Sequence, residues 1–278
     1  MDEIGPMELK ATRYEVDALG IARVTLHRPQ RRNAWTGRMH SEYRWCLATA
    51  DADPRVRVVI VTGADDWFCV GGDSEALAGH AERGSYDPGL RGELANPGYG
   101  VHPEFDHHFA WHYGLRLPVI AQINGACAGV GLSLACFCDL RFVAADAKLT
   151  TAAPKLGLPA EYGLSWVLPR MIGTTHAADL LLSGRVVLGE EAARIGLCNA
   201  ALPREELTAH VDAYATQLAT GVSPASIAAT KRQMYLDLIR HDVGSSVTES
   251  EALLSQMMSG PDYVEGVTAL REKRPPRF

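Results

Sequence analysis

Residues 56 to 63, VRVVIVTG, form a nearly unbroken β-branched run that ends on a glycine. A strand with one wet face alternates apolar and polar residues. A run with no polar face has to be covered on both sides, as in a parallel sheet lying between other layers. Two further stretches share this character, VIAQINGA from Val119 and LRFVAADA from Leu140. Up to about residue 203 the chain therefore reads as strand, loop and helix in repetition, an α/β arrangement. The stretch YEVDALGIARVTLHRP alternates around Ala18-Leu19-Gly20 and predicts an opening strand pair. From Thr36 to Ala50, Met39, Tyr43, Cys46, Leu47 and Ala50 recur at helical spacing and predict a helix.

After Pro203 the pattern is helical only: REELTAHVDAYATQLAT, SPASIAATKRQMYLDLIRH and VTESEALLSQMMS. This predicts a mixed core over 1–203 and a helical region over 204–278. Within the latter, Leu253, Leu254, Met257 and Met258 make an apolar stripe better suited to packing between subunits than to solvent.

At 278 residues with 47% hydrophobic content, the chain can bury a full-sized core. A net charge of -6 argues against a general nucleic-acid binder, whose phosphate contacts need a basic face. No stretch approaches the roughly 18 uncharged apolar residues of a membrane span. The start, MDEIGPMELK, is acidic where a signal peptide would be basic. The expectation is a soluble cytoplasmic protein with no membrane or nucleic-acid partner. Its six cysteines, set mostly in apolar runs without CxxC pairing, read as buried thiols in a reducing compartment.

Four stretches bear on chemistry. Between Asp73 and Pro118 a Gly-, Pro- and His-rich segment reads as a lid or pocket wall. His107, His108 and His112 lie within it, but no HExxH or third-ligand acid accompanies them, so pocket lining is preferred to a metal site. Phe68-Cys69-Val70-Gly71-Gly72-Asp73 follows a strand, and its glycines let backbone N–H groups approach a ligand. NGACAGVGLSLACFCDL follows another strand and turns into a helix of small residues, whose N-terminus presents unpaired N–H groups. Two such donors aimed at one point make an oxyanion hole; the bland alternative is a pair of packing turns.

Gly129-Val130-Gly131 lacks the third glycine and the following acid of a dinucleotide loop. Gly131-Leu132-Ser133-Leu134-Ala135 resembles a hydrolase nucleophile elbow, but Ser133 falls inside the helix. Finally, in TTAAPKLGLPAEYG, residues 150 to 163, Glu161 is the sole acid. It is either a catalyst or a first-turn acid facing the dipole of the helix that follows.

HRPQRRNA (27 to 34), FCVGGD, NGACAGVGLSLACFCDL, PKLGLPAEYGLSWVLPRMIG (154 to 173) and EGVTALREKRPPRF (265 to 278) together resemble the successive signatures of the enoyl-CoA hydratase/isomerase, or crotonase, superfamily. The resemblance implies a spiral core of ββα turns followed by an all-helical oligomerisation region that assembles homotrimers or dimers of trimers. It also implies an acyl-CoA or enoyl-CoA ligand, with coenzyme A as part of the substrate and neither a separate cofactor nor a metal. It places the oxyanion-hole donors on the main chain of Gly72 and Val130. Coenzyme A contacts fall on Arg31, Ala34, Val70, Asp73 and Lys273. Arg31 belongs to a basic cluster with Arg28 and Arg32, and Lys273 to a tail cluster with Arg271 and Arg274; either cluster would otherwise read as a solvated patch. Leu270 stands where relatives have a phenylalanine, so acyl-pocket contacts are expected to differ.

The two glutamates of true hydratases correspond to Ser133 and Ala153, neither of which can act as a carboxylate. Glu161 falls where dienoyl-CoA isomerases carry a catalytic aspartate and a dehalogenating relative its nucleophile. Apolar neighbours such as Leu158, Leu164 and Trp166 are expected to raise its pKa. The expected chemistry is double-bond isomerisation with Glu161 as acid and base. Hydration, CoA-thioester hydrolysis and silent acyl-CoA binding are the alternatives.

Overall fold

The computed structural model describes residues 7–83, 103–240 and 242–278. Residues 84–102 of the Gly-, Pro- and His-rich segment lie outside them.

The opening strand pair is an antiparallel hairpin of β1 (Thr12–Val16) and β2 (Ile21–Leu26). Its turn is closed by Asp17, whose carboxylate accepts the amides of Leu19 at 2.8 Å and Ile21 at 2.9 Å. Helix α1 (Gly37–Ala52) starts on the Thr36 hydroxyl, which accepts the Met39 amide at 3.2 Å. The face expected to be apolar, from Met39 to Ala50, is fully buried.

All six residues of β3 (Val58–Gly63) are buried, as an unbroken β-branched run requires. Parallel pairing joins β3 to β2 on one side and to β5 (Val119–Ile123) on the other, with Ile60 opposite Ile120. Next come β7 (Leu140–Ala144) and β10 (Ala200–Leu202), giving the six-stranded order β1-β2-β3-β5-β7-β10.

A second sheet joins β4 (Trp67–Cys69), β6 (Ala126–Ala128), β8 (Lys148–Thr150) and β9 (Val187–Leu188). Each of β3, β5 and β7 is thus followed within a few residues by a strand of this second sheet. Helices come next: α2 (Ser74–Arg83) after β4, α3 (Val130–Phe137) after β6 and α4 (Leu164–Ser183) after β8. That succession is a spiral of ββα turns. It stacks β4 beside β6, so the loops leaving them, which carry Gly72 and Val130, are neighbours.

Helix α5 (Gly189–Arg194) leads to β10, and α6 (Arg204–Gly221) lies on the large sheet, burying Leu207, Val211 and Ala215. Helix α7 (Pro224–Asp237) is fastened by Lys231, whose ammonium donates to Leu117 O and Asp139 Oδ2, both at 2.7 Å. Tyr235 donates to the other Asp139 oxygen at 2.7 Å, and its ring stacks on Tyr113. Lys231→Met should therefore strand a largely buried carboxylate and lower stability by about 3 kcal/mol. In urea at fixed protein concentration the midpoint should fall with an unchanged slope; an unmoved midpoint would show that the pair contributes nothing.

Helices α8 (Val243–Met257) and α9 (Pro261–Glu272) are bound far more loosely, α8 burying no residue and α9 only Ala269.

Candidate active site

The Gly71-Gly72 loop is held by Trp35. The Trp35 amide donates to Gly71 O at 2.8 Å and the Asp73 amide donates to Trp35 O at 2.9 Å. In such a parallel bridge both bonds use the peptides flanking Gly72, leaving its own N–H pointing to the other side. That N–H finds no acceptor among the described residues.

The second donor sits at the start of α3. Gly129 caps this helix with φ 51° and ψ -120°, a conformation that L side chains rarely adopt. Val130 is the first helical residue, so its N–H has no partner within the helix. The helix reaches this position because residue 131 is glycine: a Cβ there would lie 2.5 Å from Cys69 O in β4. Any side chain at 131 would drive α3 away from the strand that delivers Gly72.

Glu161 joins these two loops. A Cβ placed on Gly129 would lie 3.6 Å from Glu161 Oε2 and 3.8 Å from Gly71 Cα, so the carboxylate stands beside the Gly129 turn, which the Gly71-Gly72 loop also meets. Its position comes from a reversal of the chain. Tyr162 (φ 46°) and Gly163 (φ 77°) are both left-handed, and the Leu164 amide donates back to Glu161 O at 2.9 Å. Helix α4 begins at Leu164 with Gly163 as its cap and has no acid in its first turn. Glu161 therefore lies outside the helix, and the first-turn reading does not describe it.

Burial raises the Glu161 carboxyl above the usual carboxylate range, and among the described residues no cation or donor offsets it. Of the apolar neighbours expected around it, Leu164 is fully buried. Leu158 is 41% exposed, however, and Trp166 carries the Arg170 guanidinium over its ring at 4.1 Å. Tyr162, next in the chain, turns its ring to Phe109 at 5.3 Å and to His108 at 6.2 Å.

Ser133 is fully buried, and its hydroxyl donates back to Gly129 O at 3.3 Å. It sits within α3 and not at a strand-to-helix elbow. Ala153 is buried in a short 3-10 turn.

The remaining expected residues are dispersed. Ala34 is buried and Val70 half-buried, on the two segments that Trp35 joins. The basic cluster splits three ways: Arg31 is exposed and paired with Glu75, Arg32 lies over Trp67 at 4.8 Å, and Arg28 turns inward to Asp73 at 2.9 Å. Asp73 is itself buried. Desolvation pushes its carboxyl up, but the Arg28 hydrogen bond and the Glu75 amide outweigh this and hold it below the usual range. Lys273 ends α9, exposed. Among the histidines, His112 is fully buried and both ring nitrogens are engaged: Nδ1 donates to Phe109 O, and Nε2 accepts the Tyr43 hydroxyl at 2.8 Å. His108 lies against the His40 ring at 4.9 Å. Nothing in the sequence marked the parts played by Trp35 and Arg28. The first acts through its main chain, and the second lies 45 residues before its partner, counting 28 to 73.

The family model described as Enoyl-CoA hydratase/isomerase matches residues 17–278. The chain belongs to the enoyl-CoA hydratase/isomerase family. A "Probable enoyl-CoA hydratase" of Rhodobacter capsulatus is 33% identical over 272 residues, covering 98% of this chain and 99% of the relative. The 1,2-epoxyphenylacetyl-CoA isomerase of Escherichia coli is 31% identical, over 93% and 95% of the two chains. In three dimensions, a crystal structure of a probable enoyl-CoA hydratase/isomerase from Mycobacterium abscessus superposes with a TM-score of 0.83 at 30% identity, covering 96% of this chain and 98% of that one. Members of the enoyl-CoA hydratase/isomerase family with both names thus resemble this chain along nearly its whole length.

Proposed function

We propose that this enzyme shifts a carbon–carbon double bond in an enoyl-CoA thioester, using Glu161 as its one acid–base group. The observation that carries the reading is a half-buried carboxylate, without a partner among the described residues, beside the Gly129 turn where two loops with N–H donors meet, in a site whose other two family positions are Ser133 and Ala153. With a 3-enoyl thioester, the carboxylate takes a proton from C2. The electron pair moves into the carbonyl, and the resulting dienolate oxygen is held by the N–H groups of Gly72 and Val130. The same carboxyl then returns the proton to C4, giving the 2-enoyl thioester. Atoms balance with no water consumed. Hydration would need a positioned base for water as well as a proton donor, and serine and alanine supply neither.

For coenzyme A, Arg31 supplies an exposed guanidinium for a phosphate, and Ala34 and Val70 border the donor loop. The Asp73 carboxylate is committed to Arg28, so its part is to hold that loop. Lys273 would act from a neighbouring copy. We also infer a homotrimer or dimer of trimers. Leu254 and Leu270 are 62% and 78% exposed, and α7, α8 and α9 enclose an apolar groove of about 730 Å³ lined by Leu253, Met257, Val267 and others. Light scattering at micromolar concentration should give three or six copies; a monomer removes the assembly.

Incubation with a 3-enoyl-CoA in deuterated water tests the reaction. A 2-enoyl product supports it, with deuterium at C4 to the extent that the carboxyl proton exchanges with solvent during the transfer. A 3-hydroxyacyl product formed from a 2-enoyl-CoA points to hydration, free CoA to hydrolysis, and unchanged thioester to a silent binder.

A further inference from the structure

Gly71-Gly72 is the most conformationally free dipeptide a chain can offer, with no side chain to fix it. A donor there is useful only when its neighbours hold it, because the oxyanion-hole bond demands a defined direction and a distance near 3 Å. The two bonds to Trp35 supply part of the restraint. Trp35, however, belongs to an irregular segment in which Arg32 and Asn33 both have positive φ, so it needs support of its own.

Arg28 stands between the two segments. One guanidinium nitrogen donates to Ala34 O at 2.6 Å and the other meets Asp73 Oδ2 at 2.9 Å. The Arg28 main chain is fixed in turn: its amide donates to Asn33 Oδ1, and its carbonyl accepts the Asn33 amide, both at 2.9 Å. The second Asp73 oxygen accepts the Glu75 amide at 3.0 Å at the start of α2, so the far end of the loop is tied down as well. Asp73 is 4% exposed, which shields the ion pair from the screening that weakens surface pairs.

We propose that Arg28 is a positioning residue of the oxyanion hole, its guanidinium joining the Trp35 segment to the Gly72 loop so that the Gly72 N–H is aimed at the thioester oxygen. This rests on the reading that Gly72 and Val130 hold that oxygen. Arg28 touches no substrate atom; it acts through Ala34 and Asp73. A guanidinium suits the place because its planar fork serves two acceptors at once, whereas an ammonium at the same distance serves them poorly.

The probe is 4-dimethylaminocinnamoyl-CoA, a thioester whose absorption moves to longer wavelength when its carbonyl oxygen is polarised. The wild type should bind it with a clear red shift. Arg28→Met should bind it with similar affinity but with most of the shift lost, and kcat for isomerisation should fall roughly 10- to 100-fold with KM little changed. Arg28→Lys, which restores the charge opposite Asp73, should recover part of both. A merely structural arginine would leave the shift of the folded protein intact. Should Arg28→Met not fold, Asp73→Asn breaks the ion pair at its other end and is read in the same way. A full red shift in the folded variant overturns the role of Arg28 alone. No red shift in the wild type overturns the oxyanion hole itself, and this inference with it.

Discussion

Glu161→Gln should lower isomerisation roughly 100- to 10,000-fold while affinity for the CoA thioester changes little. The amide matches the carboxylate in shape, but it cannot take a proton from C2 of the substrate. Because burial raises the Glu161 carboxyl, the base form is lost while pH is still above the ordinary carboxylate range. On the acid side, kcat/KM of the wild type should fall as pH drops through this raised value, and the residual rate of Glu161→Gln should lack that limb. Wild-type turnover by the glutamine variant would leave Glu161 as a turn residue.

Gly72→Pro should cost at least roughly 100-fold in kcat, the usual effect of deleting one oxyanion donor. Val130→Pro is the cleaner companion. The first position of a helix has no intrahelical use for its N–H and tolerates proline, so α3 should survive while its donor disappears. Circular dichroism would establish that both variants fold. Near-normal turnover by either folded variant removes that N–H from the site.

The large sheet was legible because β3 and β5 are buried throughout and their composition says so. The second sheet was not. Trp67–Cys69, Ala126–Ala128 and Lys148–Thr150 are three residues each, too short to show a period, and the first two run into the glycine stretches that read as loops. Helicity after Pro203 was plain, and the apolar stripe of Leu253, Leu254 and Met257 marked α8, which buries no residue, but the sequence did not show that α6 packs on the sheet. Of the site, Glu161 was visible as a lone acid in an apolar stretch. Its escape from the helix was not, because it depends on Tyr162 adopting φ 46°, which tyrosine rarely does. The histidines expected to line a pocket part company: a short 3-10 turn sends His112 into the core, and His108 is half-buried beside His40.

In the proposed reaction the two halves of the site are made of different material. The anion is held by main-chain N–H groups at Gly72 and Val130, which every residue except proline possesses. The proton is moved by a single side chain on the turn before α4. A donor of this kind does not depend on the side chain of the residue that bears it, which is why valine at 130 is tolerable. Under that proposal, a change at 133, 153 or 161 would alter which carbon is protonated and whether water is admitted, while the main-chain donors for the thioester oxygen stayed in place.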